Sequence, residues 1–197
     1  MASLTLHTSR RNSGSGRLER LRGSFSSDVA GKQYSEVYVT DCRKTIKIGG
    51  KIYPGAEQVF SFTEPDFADA NSQLNLSGDL YVYVKAKGSS DDYSNAYKLP
   101  KDNSGFEDVG DIKDVKQKNI QQVREDLLDT DSKISDLNTL ANLASDYLPT
   151  TLAQEINDHI TNVMAELAQR REQLESDLRE KIGAYKKLFN EPLPDRK

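Results

Sequence analysis

The chain has 197 residues, of which 36% are hydrophobic and 29% are charged, with no Trp and a mean hydropathy of -0.71. A single compact globule of this length buries about 70% of its unfolded surface and needs more apolar side chains than this composition offers. The composition therefore favours a small domain joined to an elongated module, and the lack of any run of about 18 apolar residues excludes a membrane-spanning helix.

Charge is distributed unevenly along the chain. Residues 1–33 hold six Lys and Arg against two Asp and Glu, a net +4, whereas 34–110 and 111–197 each carry a net -4. A basic segment ahead of an acidic body is typical of an interaction arm. The single cysteine, Cys42, excludes an intrachain disulfide, and the N-terminus lacks the apolar region of a secretory signal.

Residues 1–33 are predicted to form an extended basic arm, because their Ser, Gly and Arg content leaves too little apolar surface for folding alone. Such an arm could add a strand to a partner through residues 3–8. Its arginines are candidate contacts to an acidic protein surface or, less favoured, to nucleic-acid phosphates: Arg10, Arg11, Arg17, Arg20 and Arg22. No aromatic residue lies among them, so base stacking is not indicated. The alternative is a tail that only improves solubility.

Residues 34–100 are predicted to form a small antiparallel β-sandwich or barrel-like domain. Short apolar alternations, such as Leu80, Val82 and Val84, are separated by Gly, Pro, Asp and Ser. Gly49-Gly50 lies between two such runs and predicts a two-residue hairpin. Residues 101–110 have the composition of a linker.

Residues 111–190 are predicted to form a helical hairpin, with helices over about 111–147 and 151–190 and a tail over 191–197. The first helix has the 3-4 apolar spacing of a heptad, and the second follows an eleven-residue rhythm. Pro149 separates them, and Thr151 with Gln154 has the spacing of a capping box. The coiled-coil-like seam is predicted at Ile120, Val123, Leu127, Ile134, Leu137, Ile156, Ile160, Val163, Leu167, Leu174, Leu178 and Ile182.

Two helices cannot enclose a core by themselves. Further apolar residues at Leu128, Leu140, Leu143 and Tyr147 lie outside the seam and require a partner. Packing against copies of the same chain is the simplest solution, and a homotrimer is the favoured prediction.

Catalytic and metal-binding patterns do not emerge from the sequence. His7 and His159 are the only histidines, and no Cys or His cluster of zinc-site spacing is present. Cys42 precedes Arg43 and Lys44, which could lower the pKa of a thiol, but a structural cysteine is the favoured interpretation. The chain is therefore expected to be non-enzymatic, without cofactor or metal.

Residues 37–57 (VYVTDCRKTIKIGGKIYPGAE), followed by Leu80-Tyr81-Val82-Tyr83-Val84, resemble small β modules of tailed-bacteriophage virion proteins. The resemblance covers about a third of the chain and implies a capsid decoration, fibre, or neck or tail component. In such proteins a β module is commonly joined to a coiled coil, and an N-terminal arm commonly lies along a neighbouring virion protein.

The sequence thus predicts an α+β structural protein of a virus particle, assembled in the host cytoplasm. Its expected partners are its own copies through the helices and neighbouring virion proteins through the arm, with no membrane. The alternative is a cytoplasmic coiled-coil scaffold or adaptor that binds a helix of another protein.

Overall fold

A computed structural model describes residues 2–27, 35–50, 52–53, 57–86 and 93–190. The protein is α+β, with two antiparallel sheets and two long helices. The chain divides into two compact units. We call the described part of 1–117 and 183–197 the β unit, and Lys118–Ile182 the helical unit. Both long helices run through both units, so each unit is described by itself.

The first sheet has four strands, β1 (Ala2–Arg11), β2 (Leu18–Ser27), β5 (Ile52–Tyr53) and β6 (Gln58–Thr63), in the order β1-β2-β6-β5. Alternation along β2 places Leu21 and Phe25 in the core, while Arg20 and Arg22 are exposed on the opposite face. The sheet therefore has one apolar face and one polar face.

The second sheet has five strands in the order β4-β3-β7-β8-β9. These are β3 (Ser35–Thr40), β4 (Thr45–Lys47), β7 (Leu80–Ala86), β8 (Asn95–Leu99) and β9 (Glu107–Asp111). Strand β9 lies within the predicted linker 101–110 and extends one residue past it, so the linker prediction was wrong over that part. The strand was not predicted because its sequence, EDVGD, is acidic and lacks apolar alternation. It pairs with β8 at the edge of the sheet.

One hydrophobic core is shared by both sheets. It contains Leu4 and Phe60 from the first sheet and Val37 and Val82 from the second, all essentially inaccessible to solvent. A 3-10 turn (Glu64–Phe67) and the short helix α1 (Ala68–Gln73) contribute Phe67 and Ala70 to the same core. Few apolar residues suffice to fill this core, because each strand contributes only every second side chain to it.

The prediction of an extended arm over residues 1–33 was wrong for residues 2–27. Residues 2–27 form β1 and β2, which pair with each other along their length, and β2 also pairs with β6. Leu4, Leu6, Leu18, Leu21 and Phe25 are buried in the shared core. These few apolar side chains suffice because strands from elsewhere in the chain complete their core. Residues 28–33 lie outside the described residues.

The predicted hairpin at Gly49-Gly50 was also wrong. Strand β4 pairs with β3 in the second sheet, whereas β5 pairs with β6 in the first, so the chain changes sheets at these glycines. Gly50 has φ 147°, and a Cβ there would lie 2.5 Å from the ring of Phe62. Glycine is needed at this position for close approach to the core rather than for a two-residue turn.

The long helices are α2 (Ile112–Tyr147) and α3 (Thr150–Phe189), each within one residue of the predicted bounds. The start of α2 and the end of α3 belong to the β unit, where Ile112, Val115 and Tyr185 are buried. Gln117 Nε2 donates to Tyr185 Oη at 2.8 Å and joins the two helix ends. The predicted tail 191–197 lies outside the described residues.

Candidate interaction surfaces

The predicted seam runs along the helical unit, but most of it is only half-buried. Ile120, Val123 and Ile160 are buried. The remaining seam positions keep part of their apolar surface accessible: Leu127, Ile134, Leu137, Ile156, Val163, Leu167, Leu174, Leu178 and Ile182. Two helices touch along one line only, so each of these side chains is covered on one side.

The single polar position in the first-helix seam is Thr130. Its side chain is buried, and its Oγ1 donates to the carbonyl oxygen of Asp126 at 2.8 Å. The hydroxyl is therefore satisfied within its own helix, which removes the cost of placing it among apolar side chains.

Arg171, which interrupts an apolar series of the second helix, forms an ion-pair network. Its Nε lies 2.7 Å from Asp131 Oδ1 on α2, and its Nη1 lies 2.7 Å from Glu175 Oε1 on α3. The hydrogen bond to Asp131 raises the pKa of Arg171 above its ordinary value. The ion pair with Asp131 joins α3 to α2 at this point of the helical unit.

A second apolar surface surrounds the turn between the helices. We call Leu140, Leu143, Tyr147, Leu148 and Leu152 the turn patch. Leu140 is 53% exposed, Leu143 47% and Tyr147 80%. With Leu128, six of the eight large exposed apolar residues in the described part of the chain belong to the helical unit. Monomeric proteins rarely expose so many large apolar side chains in one region.

Arg11, predicted as an arm contact, is a buried structural residue with only 2% of its surface exposed. Its guanidinium donates to four carbonyl oxygens at 2.7–2.9 Å, those of Gly16, Leu76, Gly78 and Leu99. Burial lowers the pKa of Arg11, and the nearby charge of Asp79 partly opposes that shift. A neutral side chain could not satisfy four carbonyls from three segments in this way.

Three other predicted arginines come together on the outward face of the first sheet. Arg10 lies directly opposite Arg20 across β1 and β2, and Arg22 follows Arg20 on the same face. Arg10 pairs with Glu19 at 2.9 Å. Arg20 and Arg22 are exposed and form no ion pair or hydrogen bond with the described residues. We call Arg10, Arg20 and Arg22 the arginine face.

The fifth predicted arginine, Arg17, lies at the turn after β1. Its Nη2 lies 3.4 Å from Glu64 Oε1, and both side chains are half exposed. This pairing leaves Arg17 outside the arginine face.

A histidine, a serine and a carboxylate are hydrogen-bonded in this order on the first sheet. This order differs from that of a catalytic triad, in which the histidine lies between the serine and the carboxylate. His7 Nε2 lies 3.1 Å from Ser24 Oγ, and Ser24 Oγ donates to Glu57 Oε1 at 2.5 Å. In a hydrolytic triad the carboxylate accepts a hydrogen bond from the histidine and orients it. Here the carboxylate of Glu57 accepts a hydrogen bond from the serine hydroxyl instead. These three residues line neither the cleft beside Arg43 and Lys187 nor the cleft beside Asp79 and Lys98.

A buried lysine lies where the start of α2 meets the second sheet. Lys116 is 2% exposed, and its Nζ donates to Thr40 Oγ1 at 3.3 Å, near Cys42. Burial lowers the pKa of Lys116, opposed by the charges of Cys42 and Asp41. Cys42 is itself buried, so its thiol is not accessible from solvent. The burial of Lys116 could not be predicted from the sequence, because a lysine in the first turns of a helix is ordinarily exposed.

Tyrosines surround this junction. Tyr83 stacks on Tyr38 at 5.6 Å, Tyr93 meets Tyr83 at 5.8 Å, and Phe189 from the end of α3 meets Tyr93 at 5.6 Å. Burial raises the pKa of Tyr83 and Tyr38. These rings anchor the helix ends to the second sheet and form packing contacts, not a reactive centre.

A cleft of about 360 Å³ lies beside β4, lined by Arg43, Lys44, Lys187 and apolar groups of Ile46, Ala184 and Leu188. Its lining contains no carboxylate, histidine or cysteine that could act as a general acid or base. A shallower cleft is lined by Asp79, Lys98 and Asp102 among others, and the ion pair of Asp79 with Lys98 at 3.2 Å occupies it.

No group of three or more His, Cys, Asp or Glu in the described ranges is arranged to hold a metal ion. None of the described helices combines the length and the apolar character needed to cross a bilayer.

The comparisons with known proteins add no relative to this description. No family model, curated protein or solved structure matches the chain.

Proposed function

We propose that the chain is a non-enzymatic structural protein of a virus particle, a capsid decoration, fibre, or neck or tail component that assembles through its helical unit. The observation that carries the proposal is the apolar surface of that unit. Its seam is half-buried, and its turn patch is open to solvent. A surface of this kind favours association with another protein.

A second copy of the same chain is the proposed occupant of the seam. The half-covered positions recur along both helices, so copies side by side can bury the same residues in every subunit, as a symmetric assembly requires. A third helix pair closes such a core more completely than a second one, and we therefore propose a homotrimer with coiled-coil packing. A sandwich-like arrangement of the two sheets forms part of the same proposal.

The virus-particle role rests on the resemblance of residues 37–57 and 80–84 to tailed-bacteriophage β modules. The arrangement of a small β unit joined to long helices supports it, as such modules are commonly linked to coiled coils. The predicted threaded arm forms no part of the proposal, because residues 2–27 belong to the folded sheet.

The turn patch offers the sharpest test of assembly, since its residues contribute little to the core of one chain. The triple variant Leu140→Ser, Leu143→Ser and Tyr147→Ser should shift the mass measured by light scattering toward that of a single chain, with helix content by circular dichroism unchanged. The matched control is Asn138→Ala with Asn142→Ala, exposed positions on the same helix. An unchanged mass for the triple variant would remove the turn patch from the interface.

The same measurement addresses the adaptor alternative. A wild-type chain that is monomeric at all concentrations, yet binds an added amphipathic helical peptide at the turn patch, would replace self-assembly by partner binding.

A further inference from the structure

We propose that the arginine face binds a carboxylate-rich segment of another protein. This site lies on the first sheet of the β unit and goes beyond the assembly role proposed for the helices. The arginine face replaces the predicted extended arm as the means by which the basic N-terminal residues meet a partner.

The placement of the three guanidinium groups is costly for the isolated chain. Arg10 and Arg20 occupy directly opposed positions of an antiparallel pair, where like charges destabilise the sheet. Glu19 offsets one of them, but Arg20 and Arg22 form no ion pair with any of the described residues. An anionic partner would supply that counter-charge.

The spacing on the sheet suits carboxylates of a regular protein segment. Arg20 and Arg22 are two residues apart on one strand, about 7 Å, and Arg10 lies about 5 Å across from Arg20. Carboxylates two apart on a strand, or three to four apart on a helix, have similar spacings. Planar guanidinium groups bind carboxylates through paired hydrogen bonds.

The surroundings of the arginine face are polar. Arg22 lies between Thr8 on β1 and Ser61 on β6, and Arg20 lies opposite Thr63. The hydroxyl groups of Thr8 and Ser61 can donate further hydrogen bonds to carboxylate oxygens, whereas Thr63 Oγ1 already donates to Asp66 Oδ2. The partner contact is therefore charged and hydrogen-bonded, not apolar.

A protein partner fits better than nucleic acid. The arginine face offers three cations, one already paired, whereas proteins that hold DNA through its phosphates make about six to ten such contacts. Tyr53 is exposed on the same face of the sheet, but it lies on β5, two strands from β2. The cross-strand neighbours of Arg20 and Arg22 on β6, Thr63 and Ser61, have no ring for base stacking. The whole chain also carries a net charge of -4, which opposes a long polyanion such as DNA.

The test uses the full-length protein and a fluorescein-labelled polyglutamate peptide, with duplex DNA as the competing probe. Fluorescence anisotropy should show peptide binding that weakens with salt. Arg20→Ser with Arg22→Ser should lower the affinity for the peptide on the order of tenfold. Arg20→Glu with Arg22→Glu should abolish this binding and create binding to polylysine.

The matched control is Lys44→Ser with Lys186→Ser, which removes the same charge from exposed positions of the β unit away from this face. It should retain peptide binding within about twofold. No binding by the wild-type protein, an equal loss in the lysine control, or tighter binding to duplex DNA than to the peptide would each overturn the proposal.

Discussion

Arg11 Nη1 donates to the carbonyl oxygen of Leu99 at 2.7 Å, and this bond ties the first strand of the first sheet to the second sheet. Arg11 and Leu99 are 88 residues apart in the chain. Asn95 adds a second link, because its side-chain amide donates to Leu4 O at 3.0 Å and accepts from Leu4 N at 2.8 Å. The N-terminal strand is thus fixed along its edge by polar contacts from β8 and the residues after it.

Replacing Arg11 should destabilise the whole β unit. Arg11→Ala leaves four buried or half-buried carbonyl oxygens without their donor, and we expect the free energy of unfolding to fall by about 3–5 kcal/mol. Urea denaturation followed by circular dichroism measures this change. Arg10→Ala, one residue away on the exposed face, is the control and should change stability by less than about 1 kcal/mol. Equal stability of both variants would mean that β1 is not part of the fold.

Charges placed in the seam should prevent assembly. Leu137→Asp and Leu174→Asp each introduce a carboxylate at a half-buried apolar position, where it would be desolvated without a partner on association. The expected result by sedimentation or light scattering is loss of the oligomer. Asn138→Asp and Gln173→Glu add the same charge to the neighbouring exposed positions and should leave the oligomer intact. If seam and control variants keep the same mass, the seam is not an interface between copies.

The buried lysine predicts a pH dependence of stability. Because burial lowers the pKa of Lys116, the unfolded chain binds more protons between the folded and unfolded pKa values, and the free energy of unfolding rises with pH across that interval. Lys116→Met should remove this rise and stabilise the protein by about 1–3 kcal/mol at neutral pH. Thr40 keeps a hydrogen-bond partner in this variant, because its Oγ1 also donates to Lys44 O at 2.6 Å. Denaturation series at several pH values for both proteins test this, and destabilisation by Lys116→Met would contradict it.

The sheet change at Gly50 can be tested with its neighbour as the control. Gly50→Ala forces a side chain to positive φ and within 2.5 Å of the Phe62 ring, and should cost about 2–3 kcal/mol. At Gly49 a Cβ would meet nothing within 4 Å, so Gly49→Ala should change stability by less than about 1 kcal/mol. Thermal unfolding compares the two directly. A two-residue hairpin at this site would instead make both substitutions comparably costly.

The helices could be predicted because their signals are local. Apolar spacing over several turns, Pro149 and the Thr151 start place both helices within one residue of their bounds in the structure. The strands of 34–100 followed from alternation such as Leu80, Val82 and Val84. Which strands pair was not predictable in the same way, because pairing joins residues far apart in the chain.

A strand over residues 3–8 was expected only on a partner, and β2 was not predicted, because polar residues obscure the periodic pattern of this segment. Leu4 and Leu6 alternate on β1, and Leu21, Gly23 and Phe25 on β2, but Arg, Ser and Gly fill the positions between them. Bulges after Leu6 and Arg10 interrupt the alternation. The apolar positions alone could have revealed two short strands. The role of Arg11 could not have been foreseen, since its four acceptors come together only in the folded chain.

The measurement that tests the central claim most directly is the mass of the purified full-length protein in solution. Multi-angle light scattering during size-exclusion chromatography should give about three times the 22.1 kDa of one chain, and this mass should persist on dilution to low micromolar concentration. A stable mass of about one chain over the same range would contradict assembly through the helical unit.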